Sequence, residues 1–129
     1  MGLFNLLKAK DNAPQVITFV QANNFKGFKK LHVVVYGDEE SEANNELLKD
    51  IDMKGKTISF KEERNGNEPF WTVYIEDKKV GAIFDKDQVD NIKSDNIESV
   101  YIKFESQNVT DGKNIITRPR LRMFIKNKS

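Results

Sequence analysis

One face of the last predicted strand of the chain carries four cations and one aromatic residue, Phe124. Arg118, Arg120 and Arg122 alternate with Pro119 and apolar residues, and Lys126 continues the series. Residues two apart on a strand share a face. The opposite, apolar face consists of Leu121, Met123 and Ile125. A row of cations binds the phosphates of a nucleic-acid backbone. The alternative is that cations on an edge strand only block pairing with another sheet.

Aromatic rings fall on the predicted non-core faces of two other strands. Alternation separates an apolar set, Trp71, Val73 and Ile75, from Phe70, Thr72 and Tyr74. Tyr101 and Lys103 lie opposite the core set Val100, Ile102 and Phe104. Unpaired bases stack on aromatic planes, so rings beside cations indicate binding of a single strand. The alternative for Phe70 and Tyr74 is that they lie beneath the N-terminal segment.

The sequence lacks the residue patterns of common catalytic and metal sites. It has no cysteine and one histidine, His32, which excludes thiolate chemistry and His-pair metal motifs. We interpret His32 as a buried or half-buried, hydrogen-bonded side chain. No nucleophile elbow, phosphate-binding loop or dinucleotide fingerprint is present. The sequence therefore predicts no catalytic residue, no metal ligand and no cofactor.

Length and composition predict one polar domain. The 129 residues carry a net charge of +1, so any electrostatic attraction must be local. We divide them into an apolar-then-basic N-terminal segment, 1–14, and a single domain, 15–129. The sequence has neither a signal-peptide pattern nor an apolar run long enough to span a bilayer. We therefore expect a cytoplasmic protein that does not enter a membrane.

Hydrophobic periodicity predicts a mainly β fold with two short helices. Strands are predicted at 31–36, 56–62, 70–76, 80–84, 97–104 and 118–126, helices at 41–50 and 85–93, and 15–28 is expected to be extended. The continuous β-branched run at 31–36 predicts a strand covered on both faces. The first helix is expected to bury Ala43, Leu47 and Leu48, and the second Val89 and Ile92. About six strands with short turns favour a small curled sheet or barrel.

Several segments, in this order, resemble the HIRAN domain. They are HVVVYGD, ELLKDI, MKGKTISFKEE, NEPFWTVYI, VGAIF and RPRLRMFIK. Together they cover roughly residues 31–126. The resemblance implies a partly open, OB-like barrel that binds single-stranded DNA at a free 3′ end. It also implies that Tyr36 contacts a base, that Phe70 takes the aromatic position of the motif, and that Lys86 supplies a cation. Trp71 stands where the family has an Asp that contacts the terminal sugar.

The leading hypothesis is a non-catalytic binding module for single-stranded nucleic acid, including DNA 3′ ends. Its predicted contacts are Tyr36, Phe70, Tyr74, Lys86, Tyr101, Lys103, Arg118, Arg120 and Arg122. The alternative is a protein-interaction or accessory domain with a HIRAN-like barrel that has lost DNA binding. Its partner would dock on the N-terminal segment, through Leu3, Phe4, Leu6 and Leu7. A cleft lined by Tyr36, Phe70 and Lys86 favours the first hypothesis, and a sealed core there favours the second.

Overall fold

The computed structural model describes residues 15–18, 26–92 and 97–128. Its strands are β1 (Gln15–Thr18), β2 (Lys29–His32), β3 (Thr57–Asn65), β4 (Glu68–Ile75), β5 (Lys78–Ile83), β6 (Ile97–Asp111) and β7 (Asn114–Asn127). Its helices are α1 (Glu39–Leu48) and α2 (Lys86–Asn91). The predicted class, mainly β with two short helices, is confirmed. The N-terminal segment and the expected extension at 19–25 lie outside the described residues.

The strands form two antiparallel sheets that do not close into a barrel, in agreement with a small curled sheet. One sheet has four strands in the order β1-β3-β4-β5, and the other has three in the order β2-β7-β6. Strands β6 and β7 form a long hairpin, which extends well beyond the predicted strands 97–104 and 118–126. Strand β2 pairs with β7 only between Lys29–Ile125 and His32–Arg122. Beyond that point, no third strand among the described residues pairs with the hairpin.

Residues 33–36, here called the crossing segment, lead from the three-stranded sheet to the four-stranded one. Val34 N–H donates to Ala82 O at 2.7 Å, and Ala82 N–H donates to Val34 O at 3.0 Å. Val33 and Val35 are buried, whereas Val34 and Tyr36 are 39% and 53% exposed. The expectation that this run is covered on both faces is therefore wrong. The segment pairs along the edge of β5, with one face on the core and the other toward solvent.

Gly81 allows the crossing segment to approach β5 closely. A Cβ atom at this position would lie 2.5 Å from Val33 Cγ1 and 3.1 Å from Val34 O. Both distances are shorter than ordinary van der Waals contact, and the second involves backbone. Any larger residue would push the crossing segment away from the sheet.

The core lies between the two sheets and the helices. Val73 and Ile75 are buried as predicted, but Trp71 is only partly buried against the core. The Trp71 ring packs edge-on against Phe60, with centroids 6.5 Å apart. Its indole N–H donates to Val89 O at 3.1 Å, so this side chain fastens α2 to the four-stranded sheet.

Helix α1 packs on the sheet with polar side chains. Leu48 is buried as predicted, but Leu47 and Ala43 are exposed, and Ser41 and Asn45 are buried instead. Asn45 Nδ2 donates to Val80 O at 2.8 Å and to Ser41 O at 2.7 Å. The apolar pattern misidentified this face because α1 lies on the edge strand β5, where carbonyl groups need donors.

Helix α2 is short and is capped at its N-terminal end. The Asp85 carboxylate accepts from Asp87 N–H at 3.0 Å and from Gln88 N–H at 3.3 Å, which caps the first turn. Val89 and Ile92 are buried, as predicted. Within the described ranges, neither helix has the length and apolar character to cross a membrane.

Candidate nucleic-acid interface

Strand β7 presents its predicted cations opposite the core, in the middle of the three-stranded sheet. Leu121, Met123 and Ile125 are buried on the core face. On the other face Arg122 lies between His32 of β2 and Lys103 of β6. Arg120 lies across from Glu105, and Arg118 across from Gln107. The alternation in the sequence therefore placed these side chains on the correct face.

Arg118 is committed to the protein itself. Its guanidinium forms an ion pair with Glu42 at 3.3 Å and lies 4.6 Å from the centroid of the Tyr36 ring. The Glu42 carboxylate also accepts from Gly37 N–H at 3.1 Å. Arg118 therefore joins β7 to α1 and positions Tyr36, and its charge is largely balanced.

The remaining arginines are less well balanced. Arg122 forms an ion pair with Glu105 at 3.4 Å, but Glu105 also lies 3.8 Å from Lys103 Nζ. The buried Nε atom of Arg122, like that of Arg118, has no hydrogen-bond partner among the described residues. The Arg120 guanidinium makes no ion pair or hydrogen bond with any of the described residues. One carboxylate, that of Glu105, thus pairs with two cations, Lys103 and Arg122, and Arg120 is left without an ion pair among the described residues.

A groove opens where the crossing segment departs from β7. It consists of two adjoining cavities of about 460 and 150 Å³, which share His32, Val33, Gln107 and Arg120. Lys30, Gln88 and Arg122 line the larger cavity, and Val34 and Tyr36 line the smaller one. No carboxylate is among the described residues that line either cavity. We call this feature the basic groove: Lys30, His32, Tyr36, Gln107, Arg120 and Arg122.

Gln88 fixes the wall of the basic groove. His32 N–H donates to Gln88 Oε1 at 2.8 Å, and Gln88 Nε2 donates to Lys30 O at 3.1 Å. The side chain of α2 thereby satisfies the edge of β2 in place of another strand. The His32 side chain itself is exposed, so the interpretation of a buried or half-buried histidine is wrong. In β2 it is Leu31 that points into the core, and His32 takes the opposite face.

Tyr101 and Lys103 lie on the same sheet but at a different cavity. That cavity, of about 390 Å³, is also lined by Lys49, Asp52 and Lys54. The Tyr101 ring packs edge-on against Phe124, with centroids 6.2 Å apart. These two predicted site residues therefore lie beside the basic groove without lining it.

Phe70, Tyr74 and Lys86 are separated from the basic groove. Phe70 is half-buried and its ring lies 5.0 Å from that of Phe84. Tyr74 is half-buried, and Lys86 is exposed at the start of α2. Thr72, predicted on the face of Phe70 and Tyr74, is buried, and its hydroxyl donates to the Glu63 carboxylate. Of the three residues whose shared cleft would favour the nucleic-acid hypothesis, only Tyr36 lines the basic groove, and Phe70 and Lys86 line neither of its two cavities.

Sequence reasoning missed three residues of the basic groove. Lys30 and His32 lie on β2, which is short and joins the cation row only through its pairing with β7. Gln107 lies beyond the predicted end of β6. The one signal in the sequence was the spacing of Lys30 and His32, which matches a shared strand face. Among the described residues, no group of three His, Asp or Glu side chains could hold a metal ion.

Comparisons with protein-family models, with curated proteins and with solved structures gave no match for this chain. The resemblance to the HIRAN domain therefore remains a prediction from the sequence segments.

Proposed function

We propose that this protein is a non-catalytic binding module for single-stranded nucleic acid, held in the basic groove. The observation that carries the proposal is the convergence of Lys30, Arg120 and Arg122 on one groove whose described lining contains no carboxylate. Cations arranged along a strand neutralise successive phosphates and release counterions. Because the net charge is only +1, the attraction is local and the expected affinity is modest.

Tyr36 supports a single-stranded ligand. Its side chain is 53% exposed, and the Arg118 guanidinium lies 4.6 Å from its ring centroid. The guanidinium lies over one face of the ring and holds the aromatic plane in place, which leaves the opposite face for a base to stack on. Only an unpaired base offers its plane to such a ring, because the bases of a duplex are already stacked. The HIRAN resemblance implies the same class of ligand.

Titration of fluorescently labelled oligonucleotides across a salt series tests the proposal. We expect binding of single-stranded DNA or RNA at low salt and weaker binding of the matching duplex. Three phosphate contacts predict a slope of log affinity against log salt of about −2 for a single strand. Oligonucleotides with free and blocked 3′ ends in the same series test end recognition. If neither single-stranded DNA nor RNA binds at low salt, the proposal fails and the protein-interaction alternative takes its place.

A further inference from the structure

The larger cavity of the basic groove is more than a surface along which a nucleic-acid backbone could lie. Its volume of about 460 Å³ lies in the range of small-ligand sites. It is bordered on one side by α2 through Gln88, whose side chain is fixed by hydrogen bonds to β2. A strand that runs along the groove from Tyr36 therefore reaches α2 at this cavity.

The cavity concentrates cationic and hydrogen-bond-donating groups. Lys30, Arg120 and Arg122 supply permanent charge, and His32 supplies an imidazole. Gln107 adds an amide group. Arg122 retains a buried Nε that has no hydrogen-bond partner among the described residues, although its terminal nitrogen pairs with Glu105 at 3.4 Å. Arg120 makes no ion pair with the described residues, in contrast to Arg118, which pairs with Glu42.

This excess of cations matches a dianion better than a phosphodiester. An internal phosphodiester carries one negative charge, whereas a phosphate monoester carries up to two and has three terminal oxygens that accept hydrogen bonds. One guanidinium group can donate two parallel hydrogen bonds to two such oxygens. We infer that the cavity receives a phosphate monoester, and that this is the terminal phosphate of the bound strand. That the cavity binds a phosphate monoester is inferred from the cavity alone. That this phosphate is the end of a nucleic-acid strand rests on the proposed function.

Two measurements test the inference. The first compares oligonucleotides of one sequence with a 5′-phosphate, a 3′-phosphate or no terminal phosphate, at fixed salt. We expect a phosphate on one of the two ends to tighten binding by about tenfold, as one additional charge-assisted contact provides. Arg120→Gln should abolish this gain, whereas Lys113→Gln, which removes a charge at the hairpin turn, should keep it. The melting temperatures of both variants show whether they are folded.

The second measurement uses the single histidine as a probe. Because His32 lines the cavity and is the only histidine, its imidazole C–H signals in a proton NMR spectrum report on this site alone. Inorganic phosphate and a nucleoside 5′-monophosphate should shift these signals saturably in the wild type and not in Arg120→Gln. Sodium chloride at equal ionic strength is the reference and should leave them unchanged.

The outcomes separate this inference from the proposed function. If oligonucleotides bind equally with and without terminal phosphate and the His32 signals do not respond, the phosphate site is refuted and the proposed function stands. If phosphate shifts the signals but no oligonucleotide binds, the phosphate site stands and the proposed function fails. If the response persists in Arg120→Gln, phosphate binds elsewhere and the inference is overturned.

Discussion

The two sheets use the side chains opposite the core in different ways. On the four-stranded sheet these side chains bind one another: Thr72 donates to Glu63, and Phe70 packs on Phe84. On the three-stranded sheet, Lys103 and Arg122 share one carboxylate, and Arg120 has no partner among the described residues. Like charges on neighbouring strands destabilise a sheet. The first surface thus stabilises the fold, and the second retains charge that a ligand would neutralise.

The largest expected effect concerns the four-stranded sheet. Trp71→Ala removes the ring packed against Phe60 and the hydrogen bond to Val89 O. We expect it to lower the free energy of unfolding by about 3 kcal/mol, measured by urea denaturation. Trp71→Phe keeps a smaller ring against Phe60 and loses the hydrogen bond, which is worth about 1 kcal/mol. A Trp71→Ala protein that keeps the wild-type melting temperature would contradict the structural role of the Trp71 side chain.

The next effect tests the connection between the sheets. Gly81→Ala places a Cβ 2.5 Å from Val33 Cγ1, and overpacking of this kind costs about 1–3 kcal/mol of stability. Val33→Ala removes the atom that clashes. In a double-mutant cycle of thermal unfolding we expect the two substitutions to be less destabilising together than the sum of their separate effects. Additive effects would show that the close approach is not what requires glycine.

Two aromatic substitutions compare the surfaces directly. Tyr36→Ala should weaken binding of a single strand by about 1–3 kcal/mol through lost stacking, with the salt slope nearly unchanged. Phe70→Ala should chiefly lower stability, by about 1 kcal/mol, because its ring is paired with that of Phe84. Tyr36→Phe is the control for the ring. If Phe70→Ala weakened binding of the single strand more than Tyr36→Ala does, the interface would lie on the four-stranded sheet instead.

Charge removal sharpens the comparison within β7. Arg120→Gln should lower the magnitude of the salt slope by about 0.7, with stability unchanged or slightly raised. Arg118→Gln should instead lower stability, because it breaks the ion pair with Glu42. The same titrations and thermal scans measure both. Equal changes in slope for the two variants would show that their different surroundings have no bearing on binding.

The smallest effect lies at the start of α1. The Ser41 hydroxyl, opposed by desolvation and aided by Lys79 at 3.0 Å, holds the pKa of Asp38 below its usual value. A carboxyl group whose pKa is lower in the folded than in the unfolded state stabilises the protein at pH values above the unfolded-state pKa. That stability is lost as the pH falls through the folded-state pKa. Since both side chains are partly exposed, the contribution is below about 1 kcal/mol. Asp38→Asn should therefore reduce the acid dependence of urea denaturation, and an identical pH profile would exclude the effect.

The sequence correctly predicted the buried and exposed faces of strands in which apolar and polar residues alternate regularly. Alternation in β7 correctly separated Leu121, Met123 and Ile125 from the arginines. Hydrophobic patterning failed at Val34 and Tyr36, because a continuous run rich in β-branched residues looks the same whether one or both of its faces are covered. It also failed in α1, where Asn45 is buried because carbonyl groups of β5 need its amide. Burial of a polar side chain depends on its partner, which periodicity does not specify.

The candidate site was predictable only in part, for a related reason. Arg120 and Arg122 were found because they lie on one strand. Lys30 and His32 join them only through pairing with β7, and that register is a tertiary property. Arg118 has an ion-pair partner and Arg120 has none among the described residues, because only Arg118 reaches Glu42, which lies far away in the sequence. The sequence therefore identified a cationic face, and the structure distinguished its balanced charges from its unbalanced ones.

The pairing of β2 with β7 also has a consequence for the order in which the chain folds. Strands β3, β4 and β5 pair with their neighbours in sequence, so they can assemble as soon as each has left the ribosome. Strand β2 is made early, but its partner lies about 90 residues further along the chain. Such distant contacts close late and slow folding. Until β7 has been made, the apolar face of β2 remains without its partner strand, and this is the interval in which the nascent chain most needs protection from aggregation.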